Sequence, residues 1–159
     1  MVKKILITLL LLSILSINSV LGQVTSRQEE DLYNFGMSLY RDGMYKLAIE
    51  QLEKFERNYP ESERLPEVRF YRAESIFKEG DYVGAFLGFG KVMNSYPGTD
   101  FALRSSIRLA DCKYMTKNYN EAIKLYQDFI RRYPRSDLVV EAKYYTAESY
   151  FNQGKYGEA

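Results

Sequence analysis

A chain of 159 residues with 46% apolar, 15% aromatic and 27% charged side chains is enough for one compact domain or a short array of repeats. Its 22 basic and 21 acidic side chains nearly cancel, so nothing in the balance suggests a nucleic-acid partner. With no histidine and a single cysteine, Cys112, it lacks the commonest general base and metal ligand, any thiolate metal cage and any internal disulfide, so neither enzyme activity nor a metal or cofactor is expected.

The chain opens with Lys3 and Lys4, an apolar run from Ile5 to Leu15, and Val20-Leu21-Gly22 before Gln23. This three-part layout predicts a secretory signal peptide over 1–22, cleaved on export. The run is short for a membrane span, which needs about 20 residues. Gln23 stands where a lipid-accepting cysteine would follow, so no stable membrane anchor is expected. A short polar lead over 23–27 comes next.

From there the chain repeats itself with a step of 37 residues. Gly43, Gly80, Lys117 and Gly154 fall in one register, Tyr45, Tyr82, Tyr119 and Tyr156 in a second, and Ala48, Ala85, Ala122 and Ala159 in a third. Tyr59-Pro60-Glu61-Ser62, Tyr96-Pro97-Gly98-Thr99 and Tyr133-Pro134-Arg135-Ser136 recur in the same way. Self-similarity at such a period predicts stacked helical units, here over 28–64, 65–98, 99–135 and an incomplete 136–159.

In the first unit, helix A is expected from about Gln28 to Asp42, ended by Gly43, and helix B from Tyr45 until Pro60 stops it. The second unit opens at Leu65-Pro66, with proline in the first turn, where its missing N–H costs nothing. Its helix A buries Phe70, Ala73 and Phe77, and helix B runs from Tyr82 to about Ser95. The third unit is capped by Thr99 or Asp100 and carries Leu103, Ile107, Ala110 and Tyr114 on one stripe, then Tyr119, Ala122, Ile123, Tyr126, Phe129 and Ile130 on the next. The fourth helix A repeats the stripe as Val140, Tyr144, Ala147 and Phe151, and the sequence stops just inside a fourth helix B, leaving that stripe uncovered. The chain therefore reads as part of a longer array.

Cys112 shares its register with Ser38, Ser75 and Ser149, which predicts a small buried side chain. Ala85-Phe86-Leu87-Gly88-Phe89-Gly90-Lys91-Val92 nearly spells a phosphate-binding loop, but Ala85 replaces the first glycine, Val92 the magnesium-binding hydroxyl, and the register makes it helix. Gly88 and Gly90 should each weaken that helix by about 1 kcal/mol relative to alanine.

A small residue in the first helix, Gly-Asp-Tyr at the turn, alanine in the second helix and proline at the end resemble the tetratricopeptide repeat, here as Ala73, Gly80-Asp81-Tyr82, Ala85 and Pro97. The period exceeds the usual 34 by three. With the Tyr-Pro-x-Ser/Thr endings, it is similar to the repeats of the periplasmic Tol-Pal system coordinator and of BamD-type outer-membrane assembly lipoproteins. The resemblance implies an all-α fold of antiparallel helix pairs stacked as a right-handed solenoid. It also implies a non-enzymatic, exported scaffold for protein interactions in the bacterial envelope, in the periplasm or associated with the outer membrane.

The resemblance further implies that the first helices line a concave face, which puts Tyr33, Met37, Tyr40, Phe70, Glu74, Phe77, Ile107, Asp111, Tyr114, Tyr144, Glu148 and Phe151 on or near a groove for a protein or peptide partner. Glu74, Asp111 and Glu148 form an acidic column at the 37-residue step, so the expected partner segment carries basic and apolar side chains. The alternative for the aromatics is interhelix core. Two other functions stay open on the sequence: a glycan or peptidoglycan module using aromatic platforms, and the repeat segment of a larger protein whose activity lies beyond Ala159.

Overall fold

The computed structural model describes residues 26–158. Among them are seven α-helices and no strand: α1 over 26–41, α2 Tyr45–Asn58, α3 Leu65–Lys78, α4 Tyr82–Ser95, α5 Asp100–Met115, α6 Tyr119–Arg132 and α7 Val139–Phe151. Odd-numbered helices are the A-helices of successive units and even-numbered ones the B-helices. The signal-peptide expectation and residues 23–25 of the polar lead lie outside the described residues. Residues 26 and 27, assigned to that lead, already belong to α1.

The turn between A and B is the same structure each time it occurs. Gly43, Gly80 and Gly154 take positive φ angles of 75°, 87° and 72°, and Lys117 matches them at 59°. In each, two backbone N–H groups reach back to the end of the A-helix: Gly80 to Phe77 and Asp81 to Ile76, Lys117 to Tyr114 and Asn118 to Lys113. That arrangement satisfies carbonyls the helix leaves open and needs a left-handed residue at its centre. Across the turn an aromatic pair clasps the two helices edge to face: Tyr40 with Tyr45, Phe77 with Tyr82, Tyr114 with Tyr119 and Phe151 with Tyr156, at centroid distances of 5.1 to 5.9 Å.

The B-to-A connections repeat as well. Ser62, Thr99 and Ser136 each donate their N–H to the carbonyl of the preceding Tyr59, Tyr96 or Tyr133. The Thr99 hydroxyl then accepts from the Ala102 N–H at 3.1 Å, capping α5.

Packing follows chain order. Among α2–α7, every helix packs on its chain neighbours, and α5 also touches α3 and α7. Three clusters form the core: Met37, Leu52, Phe55, Leu65 and Val68; then Phe70, Phe89, Val92, Leu109 and Cys112; then Ile107, Tyr126, Phe129 and Ala142. Each large side chain taken out of water this way contributes about 1.5–3 kcal/mol. Small residues sit where helices come closest: Ala48, Ala85, Ala110 and Ala122 are fully buried, and a Cβ on Gly36 would stand 2.8 Å from Leu52 Cδ2. The architecture is an all-α helical-repeat solenoid.

The fourth unit departs from its predecessors. Residues 156–158 form a turn rather than the start of a helix B. Among the described residues no helix pair covers α7: Val140, Tyr144 and Phe151 are 76%, 60% and 60% exposed, whereas Ile107, the equivalent of Tyr144, is buried. The described residues include no helix long and apolar enough to cross a membrane.

Candidate functional site

The twelve residues expected in a groove do not form one surface. Met37, Phe70 and Ile107 are buried in the three core clusters, one in each. An A-helix packs on its own B-helix and on the next unit, so part of its apolar stripe is spent on core. Tyr33 packs edge to face with Phe55 and lies under the Arg64 guanidinium at 4.2 Å, and Tyr40 leans on Tyr71 at 4.9 Å. Tyr144 and Phe151 are exposed on α7, where the Tyr144 hydroxyl donates to Glu148 at 3.4 Å.

The acidic column also reads differently in space. Glu74 and Asp111 are 2% and 6% exposed. Arg108, one turn before Asp111 on α5, reaches both: Nε and Nη2 donate to the two carboxylate oxygens of Glu74 at 2.6 and 3.3 Å, and Nη1 donates to Asp111 Oδ2 at 2.9 Å. The Tyr126 hydroxyl, on α6, donates to Asp111 Oδ1 at 2.6 Å. These two acids are therefore a buried lock between units, not a solvated face, and reversing either to lysine would unlock the array rather than report on binding alone. The sequence reading missed Arg108 because the residue is not part of the repeat: its register holds Asn34, Tyr71 and Tyr145.

Burial works against the charge on Arg108, but Glu74 and Asp111 outweigh it and hold the guanidinium above its ordinary value. Burial, reinforced by Asp111, pushes the Tyr126 hydroxyl up, so it stays a hydrogen-bond donor. Cys112, beside Asp111 and packed in the core, is raised to about 12, mainly by burial, which keeps it a thiol.

What the structure does bring together lies just outside this lock. Phe77 from α3, Asp111, Tyr114, Arg108 and Met115 from α5, Tyr126 from α6, and Glu141 and Tyr145 from α7 enclose a cleft of about 150 Å³ on the A-helix side. Phe77, Asp111 and Tyr114 were expected there; Glu141 and Tyr145 were not, although Tyr145 continues the column of Arg108 and Tyr71. Tyr114 and Tyr145 meet at 5.1 Å. Burial, with a contribution from Glu148, raises the Tyr114 hydroxyl to about 12. Burial and the nearby Asp111 raise the Glu141 carboxyl, with Arg108 pulling the other way.

A larger cleft of about 870 Å³ opens at the start of α5 and α7, with Arg104, Arg132 and Arg135 around it. The equivalent corner two units earlier, about 400 Å³, is lined instead by Glu29, Glu30, Glu61 and Glu63. With Asp100 and Asp137 also in the larger cleft and Arg64 in the smaller, one place in the repeat is mixed and arginine-rich at one end and mainly acidic at the other. The near phosphate loop at 85–92 lies inside the continuous helix α4.

The YfiO family of outer membrane lipoproteins matches residues 25–89 and again 70–157, which together span most of the chain. The chain belongs to the YfiO family. That the two matches overlap over 70–89 fits a sequence that repeats itself, since one segment aligns at two registers. Among solved structures, the YfiO-family chain is similar to a crystal structure of nearly identical TPR-like repeats from Podosopora anserina, assigned there to a kinesin light chain. The TM-score is 0.63 at 14% identity, over 79% of this chain and 66% of that one. At that identity the likeness concerns the fold, which is that of tetratricopeptide repeats. No curated protein sequence matches the chain. As a repeat protein of this family, it is a scaffold of the kind that serves protein interactions.

Proposed function

We propose that the chain is a non-enzymatic, exported scaffold of the bacterial envelope, in the periplasm or at the outer membrane, that holds an extended or helical segment of a partner protein along its A-helix face. Export rests on the signal-peptide layout of residues 1–22, and Gln23 favours a chain without a lipid anchor. The repeat units over 28–64, 65–98, 99–135 and 136–159 supply the shape, and a few exposed side chains supply recognition.

The observation that carries this reading is the cleft at Phe77, Tyr114 and Tyr145, where three A-helices bring aromatic rings together beside buried charge. Of the expected groove residues, Tyr40, Phe77, Tyr114, Tyr144, Glu148 and Phe151 remain the surface for such a segment, while the buried acids set the geometry behind it. Aromatic anchors at a groove are the usual carriers of binding energy.

A photo-crosslinking residue placed in turn at Tyr114, Tyr144, Val83 and Leu87 tests it. The first two positions lie on the A-helix side, whereas Val83 and Leu87 are exposed on the B-helix α4. Crosslinks to one partner segment at Tyr114 and Tyr144, and none at Val83 and Leu87, are the expected result. The reverse pattern would sink the proposal.

A further inference from the structure

The cleft between α3, α5 and α7 has a charge imbalance that its own residues do not resolve. Three carboxylates face it or stand directly behind it: Glu74, Asp111 and Glu141. The one cation there, Arg108, forks onto Glu74 and places its remaining nitrogen on Asp111, and the Tyr126 hydroxyl occupies the other oxygen of Asp111. Glu141 makes no ion pair among the described residues, and the nearby Arg108 is already committed to Glu74 and Asp111. A half-buried carboxylate with no partner charge is held at a cost that a cation entering the cleft would remove.

Size and walls narrow the class of occupant. At about 150 Å³ the cleft is below the roughly 300–1,000 Å³ typical of small-molecule sites and suits a single side chain. Its walls include the rings of Phe77, Tyr114 and Tyr145, and Met115 also lines it. Such rings attract a cation through their negative faces. The same chemistry is already used here internally, with the Arg108 guanidinium 5.7 Å from the Phe77 centroid.

We propose that this cleft is a subsite for one cationic side chain, arginine or lysine, of the partner segment, with Glu141 as its counter-ion and Phe77, Tyr114 and Tyr145 as its aromatic walls. The proposal rests on the scaffold reading above and adds the chemistry of one contact. It moves recognition away from Glu74 and Asp111, which are locked into the array, to Glu141, whose register holds Glu30, Glu67 and Arg104.

Titration of the full chain, carrying labelled methionine methyl groups, with N-acetyl-arginine amide, N-acetyl-lysine amide and N-acetyl-citrulline amide tests it by nuclear magnetic resonance. The Met115 signal is assigned with Met115→Leu. The cationic amides are expected to shift the Met115 methyl saturably, and citrulline, which has the shape of arginine without its charge, to bind about ten-fold more weakly. Glu141→Gln should weaken the cations by a similar factor and leave citrulline unchanged, with the other methionine signals in place as evidence of an intact fold. Equal binding of citrulline, or an unchanged affinity in Glu141→Gln, overturns the cation while leaving a groove that the crosslinking at Tyr114 still supports. Silence at Met115 with every amide overturns the subsite, and the crosslinking then decides the scaffold reading separately.

Discussion

A side-chain carbon added to Gly88 would stand 2.9 Å from the Cβ of Ala73, so α4 lies against α3 with no room for a methyl group between them. Gly90, two residues on, has open space around it. The two glycines therefore separate a packing requirement from a plain helix weakness. Gly90→Ala should stabilise the protein by about 0.5–1 kcal/mol through helix propensity. Gly88→Ala should give no such gain and destabilise, because Ala73 lies on backbone that cannot yield without moving α3. Urea unfolding of the two variants side by side checks this.

Arg108 holds two buried carboxylates at once, and its own side chain is only 30% exposed. Arg108→Met leaves Glu74 and Asp111 uncompensated and should cost roughly 3 kcal/mol. The double variant Arg108→Met with Glu74→Gln should be less damaged than the single one, since the first uncompensated charge is gone. Chemical denaturation of the single and double variants gives the coupling directly.

Lys117 adopts φ 59° at the place where the other three turns use glycine. A side chain with a Cβ resists that conformation, though glycine gives back part of the gain by loosening the unfolded chain. Lys117→Gly should therefore raise stability by about 0.5–1 kcal/mol, and Gly80→Ala, at φ 87°, should lower it by about 1 kcal/mol despite the empty space around it. Melting temperatures of the pair should move in opposite directions.

Ser105 is fully buried, and its hydroxyl has no hydrogen-bond partner. Its register holds Asp31, exposed in the first unit, and Val68 and Ala142, both apolar and buried. Ser105→Ala removes the orphaned group at little loss of volume and should stabilise by about 1 kcal/mol. A lower melting temperature would show that the hydroxyl does find a partner.

Stability should also fall in alkali. Folding raises Cys112 from an ordinary value of 9 to about 12 and Tyr114 from 10 to about 12, and it raises Tyr33, Tyr40, Tyr96, Tyr126 and Tyr145 as well. In each case burial favours the neutral form, so the unfolded chain ionises first. Their contribution is complete below about 9 and is lost as pH rises from 9 through 12. Denaturation across that range should show the decline. Cys112 should resist iodoacetamide in the folded protein and react once it unfolds.

The same residues show how much of the molecule could be read from its sequence. The helix limits follow from Gly43, Gly80, Pro60 and Pro97, because glycine and proline act through local backbone geometry that one chain segment fixes for itself. The small side chains at Ala73 and Ala110 were equally legible, since helices approach at the same height in every unit. The lock at Glu74 and Asp111 was not, because the burial of a carboxylate depends on the single Arg108 that breaks the register. Met37, Phe70 and Ile107 were assigned to the groove by helix face alone, and that face is shared between groove and core. Where a fourth helix B was expected, residues 156–158 form a turn.

Helices α2 to α7 pack on their chain neighbours and, through α5, on the A-helices before and after it, and α3 also meets α1, where Tyr71 packs on Tyr40. No contact therefore links α2 to α6 directly, and the array has no single keystone. Hydrogen exchange should find a gradient of opening energies from the exposed α7 inward, so that spectroscopic probes at opposite ends report different midpoints. For this protein a melting temperature is a property of the junction observed, and a partner that covers α7 would change one end of that gradient and leave the other as it was.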